Sequence, residues 1–142
     1  LSQKSRDNSR TPIQWNQNEN AGFTSGTPWI DLPKNIDTIN VEDAISNKDS
    51  VLHVYRQLIK LRHHHDIITY GDIEPLYMDH PQLFIYRRNY KNDSWLIIAN
   101  FSNEAVRIPD DLDIVGDIII QSGTIFDNKI SSYGAIVISK SY

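Results

Sequence analysis

Cysteine is absent from these 142 residues, and methionine occurs once. Without thiols there are no disulfide staples and no Cys-based zinc sites, which is compatible with a reducing cytoplasm. No apolar run approaches the roughly 20 residues that a membrane-spanning helix requires. The opening Leu-Ser-Gln-Lys-Ser-Arg has no hydrophobic segment of the kind a secretory leader carries, so no signal peptide is expected. Concentrated positive charge is missing too. Fourteen Lys and Arg stand against 18 Asp and Glu, net charge −4, and the longest basic run is Arg87-Arg88. A nucleic-acid footprint gathers Lys and Arg on one face, so that class is disfavoured. At 39% hydrophobic and 23% charged residues, the composition is that of an ordinary soluble chain about one domain long.

Three regions separate by pattern. Residues 1 to about 48 are rich in Asn, Ser, Thr, Gly and Pro. Their one short helical signal is Asn40 before Val41-Glu42-Asp43-Ala44-Ile45, an N-cap followed by acids in the first turn. So long an irregular stretch persists in a compact domain only if it is functional or braced by neighbours. It reads as a loop taken from a larger context.

Residues from about 50 to 65, SVLHVYRQLIKLRHHH, predict a helix. Val51, Leu52, Tyr55, Leu58, Ile59 and Arg62 recur at helical spacing and form one apolar stripe. Asp49 and Ser50 stand ready as caps, and basic residues crowd the end that the helix dipole favours for them. Such a stripe needs a partner to cover it.

From Ile67 onward the pattern turns to β. QLFIYRRNY and SWLIIANF flank the polar KND, which predicts a hairpin with a short loop. AVRI, GDIIIQ and GAIVISKSY follow, separated by turn-forming residues. Five to seven short strands at this spacing predict an antiparallel sandwich or barrel. Leu96-Ile97-Ile98-Ala99 is apolar on both faces, as a central strand would be.

Several residue groups invite chemistry. His63-His64-His65 suggests a metal, but adjacent helical positions point about 100° apart and three in a row do not converge on one ion; helix-end histidines at the dipole's negative pole are the simpler reading. Tyr86, Tyr90 and Trp95 suggest a sugar-binding platform, against which stands the ordinary place of such aromatics in a sheet. Arg6, Asp7 and Arg10 read by themselves as a solvated ion-pair cluster. Trp15 and Trp29 read as loop anchors that bury area, and Gly22 and Gly26 as turn residues.

Read in order, SRDNSRTPIQWNQNENAGFTSGTPWI, then NIDTINVEDAISNKDSVLHVYRQLIKLR, then FIYRR and LIIANFS, the chain resembles the C-terminal end of the bacterial α-glucosidases of the α-amylase family of glycoside hydrolases. That group includes oligo-1,6-glucosidases, trehalose-6-phosphate hydrolases and glucan 1,6-α-glucosidases. The likeness covers nearly the whole chain, is most specific from Ser5 to Arg62, and departs at Ile13, where the family usually has Met. It implies a mostly β fold. Residues 1–65 would supply the long final loop and last helix of a catalytic TIM (β/α)8 barrel, and residues 66–142 an antiparallel β-sandwich.

The same resemblance implies a chemistry. Retaining glycosidases place two carboxyl groups about 5 to 5.5 Å apart across the scissile bond. In this family those groups, and a third aspartate, come from strands N-terminal to everything in this sequence, so no residue here is assigned a catalytic role. Arg10, in the RTP element, is implied to hold the terminal glucose together with an aspartate from an earlier loop, since a fork of donors beside a carboxylate suits a sugar edge. Arg6 would help to frame the same substrate site. No cofactor and no metal are expected. The expected function is part of a retaining α-glucosidase that releases terminal α-linked glucose, α-1,6 being the expected linkage, in the cytoplasm. Its partners would be the oligosaccharide and the missing barrel, without which the chain would be inactive. The alternatives are a trehalose-6-phosphate hydrolase, a non-catalytic carbohydrate-binding sandwich, and a purely bracing module.

Overall fold

A computed structural model describes residues 6–141. The chain divides into two compact units between Arg56 and Gln57.

The first unit holds the irregular segment. A short turn of helix spans Arg6–Ser9, and a second turn spans Glu19–Gly22. Helix α1 runs over Val41–Ser46 and begins where the sequence placed it. Asn40, almost fully buried, accepts from Asp43 N at 2.9 Å as the N-cap. Helix α2 covers Val51–His64, so the division between the units falls within it. The hydroxyl of Ser50, just ahead of it, donates to Ala44 O at 2.6 Å. The apolar stripe of α2 is formed but uncovered. Val51 and Tyr55 are 80% and 64% exposed, and Leu58 and Ile59 are exposed beside them.

The second unit is β-rich. Strand β1 is Asp72–Leu76, β2 Leu83–Tyr90, β3 Asp93–Asn100, β4 Val106–Arg107, β5 Asp117–Ser122, β6 Ile125–Phe126, β7 Lys129–Ile130 and β8 Ala135–Ser141. They form an antiparallel five-stranded sheet in the order β1-β2-β3-β8-β5 and a three-stranded sheet in the order β4-β7-β6. Alternation along the strands sends Leu83 and Ile85 of β2, Leu96 and Ile98 of β3, and Ile136 and Ile138 of β8 to one face. There they meet Val106, Ile108, Leu112 and Ile130, so the core is sandwiched between the sheets. Burying each such side chain contributes about 1.5–3 kcal/mol. The β2–β3 hairpin turns at Lys91-Asn92, within the polar KND, and β3 takes the middle of the sheet as its two-sided apolarity implied.

One expectation fails here. The pattern predicts β structure from Ile67 onward, yet Asp66–Tyr70 forms a short helix, α3, and β1 begins only at Asp72. The β-branched Ile67-Ile68-Thr69 run disfavours a helix locally. A distant arginine overrides that preference: Arg88 Nε donates to Ile67 O at 2.9 Å, and its Nη2 donates to Gly71 O at 2.7 Å, so the carbonyls at the helix end are satisfied. At Gly71 any Cβ would sit 2.4 Å from Ile67 O, so only glycine fits this close approach.

Asn100, at the end of β3, ties the sandwich together from inside. Its Nδ2 donates to Glu104 O at 2.7 Å and Ser131 O at 2.9 Å, while its Oδ1 accepts from the Ser102 amide and hydroxyl.

Candidate functional site

Residues 14–17 of the polar segment are folded onto the start of α1. The first amides of a helix have no partner within it. Here Val41 N donates to Gln14 O at 2.9 Å and Glu42 N to Trp15 O at 3.0 Å, and Asp43 N is capped by Asn40. Backbone that follows RTP is thereby held by two consecutive helix amides. Gln14 Nε2 adds a bond to Asn35 Oδ1 at 3.0 Å, and Gln17 reaches Asp37 O and Asp43 Oδ2.

The turn at Glu19–Gly22 fixes the other side. Asn20, Ala21 and Gly22 all lie in the left-handed region, with φ of 52°, 55° and 65°. Only glycine adopts that conformation without strain, so Ala21 there is a cost that the surroundings must hold in place. What holds it is visible: Ala21 is fully buried, and its carbonyl accepts from both Trp15 N and Asn16 N. The turn also aims Asn20, whose Nδ2 donates to Thr24 O at 3.2 Å and Gly26 O at 3.0 Å. Residues 24–26 are thus held by one carboxamide just before Pro28 and Trp29.

These constraints shape an open pocket of about 370 Å³, with Arg10, Thr11, Pro12, Phe23, Pro28 and Trp29 among its walls. A neighbouring hollow of about 420 Å³, built on Pro12, Ile13, Ile39, Val41 and Leu52, has no ionisable side chain in its lining. The Arg10 pocket brings guanidinium donors beside aromatic and prolyl side chains.

Of the residues singled out in the sequence, Arg10 lines this pocket at an exposed position, its amide closing a turn onto Asp7 O at 3.1 Å. The side chain of Arg6 lies outside the described residues. Trp15 is half exposed and Trp29 is 99% exposed, so neither is buried by this chain. The histidines do not share a target. His64 Nδ1 bonds to Lys60 O at 2.7 Å, and the His65 ring packs on Trp95 at 5.0 Å. Nor do Tyr86, Tyr90 and Trp95 make a platform. Trp95 is buried, Tyr86 packs on Phe84, and Tyr90 sits against Tyr70 with Lys91 Nζ over its ring. Sequence reasoning missed Asn20, because a left-handed Asn-Ala pair has no local signature, and treated Trp29 only as an anchor.

A family model described as the α-amylase catalytic domain matches residues 1–71, half of the chain. The chain belongs to the α-amylase family. Its mostly antiparallel β-sheet architecture agrees with that membership. This α-amylase family chain is 47% identical over 109 residues to an oligo-1,6-glucosidase of Parageobacillus thermoglucosidasius, a match covering 75% of the chain and 19% of the relative. To trehalose-6-phosphate hydrolase of Escherichia coli strain K12 it is 49% identical over 104 residues, covering 73% of the chain and 19% of the relative. The crystal structure of Bacillus licheniformis trehalose-6-phosphate hydrolase superposes with a TM-score of 0.86 at 41% identity, over 98% of this chain and 27% of that one. The chain thus spans about a fifth to a quarter of the length of these relatives. No helix among the described residues is long and apolar enough to cross a membrane.

Proposed function

We propose that this chain is the C-terminal portion of a retaining α-glucosidase that releases terminal α-linked glucose from short oligosaccharides in the cytoplasm, with α-1,6 the expected linkage. Residues 1–65 would complete the catalytic barrel and residues 66–142 would form the sandwich. The observation that carries this reading is Arg10, held on a braced loop at the wall of an open pocket, inside the segment matched by the catalytic-domain model. The bare stripe on α2 supports it, because a last barrel helix would turn that face to the rest of the barrel. Arg10 would donate charge-assisted hydrogen bonds to hydroxyls of the terminal glucose, opposite a carboxylate from the preceding polypeptide. The reacting carboxyl groups would come from that polypeptide as well, and the chain alone would be inactive.

The test mixes this chain with the N-terminal portion encoded upstream and assays p-nitrophenyl α-glucoside hydrolysis. Activity should appear only in the mixture. Arg10→Ala should lower kcat/KM by about 10²-fold or more, the scale on which mispositioned substrate slows catalysis, while the two portions still associate. Full activity with Arg10→Ala overturns the assignment.

A second substrate is favoured by the match to trehalose-6-phosphate hydrolases. Assaying trehalose 6-phosphate beside isomaltose decides between them.

A further inference from the structure

A tryptophan that is 99% exposed, in a chain that buries Trp95 to 5%, calls for an explanation other than packing within this unit. Trp29 is the most exposed large apolar side chain among the described residues, yet its backbone is well constrained. Pro28 restricts the chain before it, and Asn20 clamps Thr24 and Gly26 by two carbonyls. Trp29 lines the same pocket as Arg10, Phe23 and Pro28. Cation-donor and aromatic face are the two halves of a carbohydrate site: the guanidinium takes hydroxyl oxygens, and the electron-rich ring takes the C–H face of a pyranose.

Resting on the α-glucosidase reading, we propose that Trp29 is a specificity residue that stacks on the sugar ring adjoining the terminal glucose held by Arg10. The preferred substrates would then be those whose leaving group is itself a glucose ring. An indole serves this well, because an aromatic side chain loses little conformational freedom on binding.

The proposal is tested in the full-length enzyme with two substrates. A diglucoside has the second ring; α-glucosyl fluoride has only the terminal one. Trp29→Ala should lower kcat/KM for the diglucoside about tenfold, a loss at the upper end for one aromatic contact, and leave that for the fluoride unchanged. Trp29→Phe should recover most of the loss. Equal losses on both substrates, or none on either, overturn the proposal. Arg10→Ala should impair both substrates; indifference there defeats the α-glucosidase reading instead, whatever Trp29 does. Should Trp29→Ala fail to fold, tryptophan oxidation of the unmodified enzyme decides, mapped by mass spectrometry with and without a thio-linked diglucoside. Protection of Trp29 by that ligand supports stacking. Oxidation without protection, or no oxidation because the rest of the enzyme covers the ring, overturns it.

Discussion

Asn40 and Asp43 hold each other by two bonds in opposite directions: Asn40 Oδ1 accepts from Asp43 N at 2.9 Å, and Asn40 Nδ2 donates to Asp43 Oδ2 at 2.6 Å. The same carboxamide donates to Ile36 O at 3.1 Å. This is a capping box in miniature, and its effect reaches the pocket. The α1 amides that it orients are those that bind Gln14 and Trp15, a few residues after Arg10.

Replacing Asn40 by Ala should therefore cost about 1–2 kcal/mol of stability, the usual range for losing a cap with a buried carbonyl left unpaired. Urea denaturation of the chain followed by circular dichroism measures it. Asn40→Ser keeps an acceptor for Asp43 N but not the reach to Ile36 O, and should fall between the two. A loss no larger than for an exposed substitution would show that the loop is held by something else.

Arg88 makes an equally specific prediction. Its two donors serve two carbonyls at the end of α3, and a lysine ammonium does not reproduce that fork. Arg88→Lys and Arg88→Ala should each destabilise, Ala by roughly 2–3 kcal/mol, as expected for charge-assisted bonds to half-buried carbonyls. Hydrogen exchange gives the sharper readout. The Gly71 amide, bonded to Ile67 O at 3.1 Å, should exchange faster in the variants while the β3 amides change by less. Unchanged Gly71 protection would mean that α3 stands without the arginine.

That arginine also marks the limit of what the sequence reveals. The β2–β3 hairpin and the central place of β3 were legible because alternation and a polar turn are local signals. The start of α1 was legible for the same reason, since Asn40 and its acids are neighbours. Helix α3 was not, because its residues prefer strands and their holding partner lies 21 residues away at Arg88. Arg10 was singled out through family resemblance alone. Its pocket was not, because the approach of Trp29 depends on Ala21 adopting a φ of 55°, a conformation imposed by burial and two amides rather than by its own preference.

Asn100 should be among the most sensitive positions of the sandwich. Five bonds converge on its buried carboxamide, three donated by Nδ2 and two accepted by Oδ1 from Ser102. Asn100→Leu matches the size but takes the acceptor from the Ser102 amide and hydroxyl and a donor from the carbonyls of Glu104, Ile130 and Ser131. A cost above about 2 kcal/mol follows from leaving several polar groups unsatisfied at once. Asn100→Asp keeps the acceptors and loses the donors, and should also destabilise. A midpoint within experimental error of the parent chain for either variant would refute the account.

The last prediction concerns acid. Lys140, which is largely buried, pairs with Asp113 and holds its carboxyl below the ordinary aspartate value of 3.8, with help from the Val115 amide. A carboxyl whose folded pKa is depressed binds fewer protons folded than unfolded. Its contribution is therefore complete above the unfolded value and disappears as pH falls through the folded one. Asp113→Asn should then lower stability at neutral pH, and the gap to the parent chain should close as pH drops below about 4. Asp110 is depressed in the same direction by Arg107, so the variant retains a shallower acid dependence of its own. Both side chains in that second pair are exposed, and salt should weaken it more than the Lys140 pair. Chemical denaturation at pH 7, 5, 4 and 3, at low and high salt, reads both effects. A gap that stays constant down to pH 3 would show that Asp113 stabilises the sandwich through its hydrogen bond to Val115 and packing rather than through its charge.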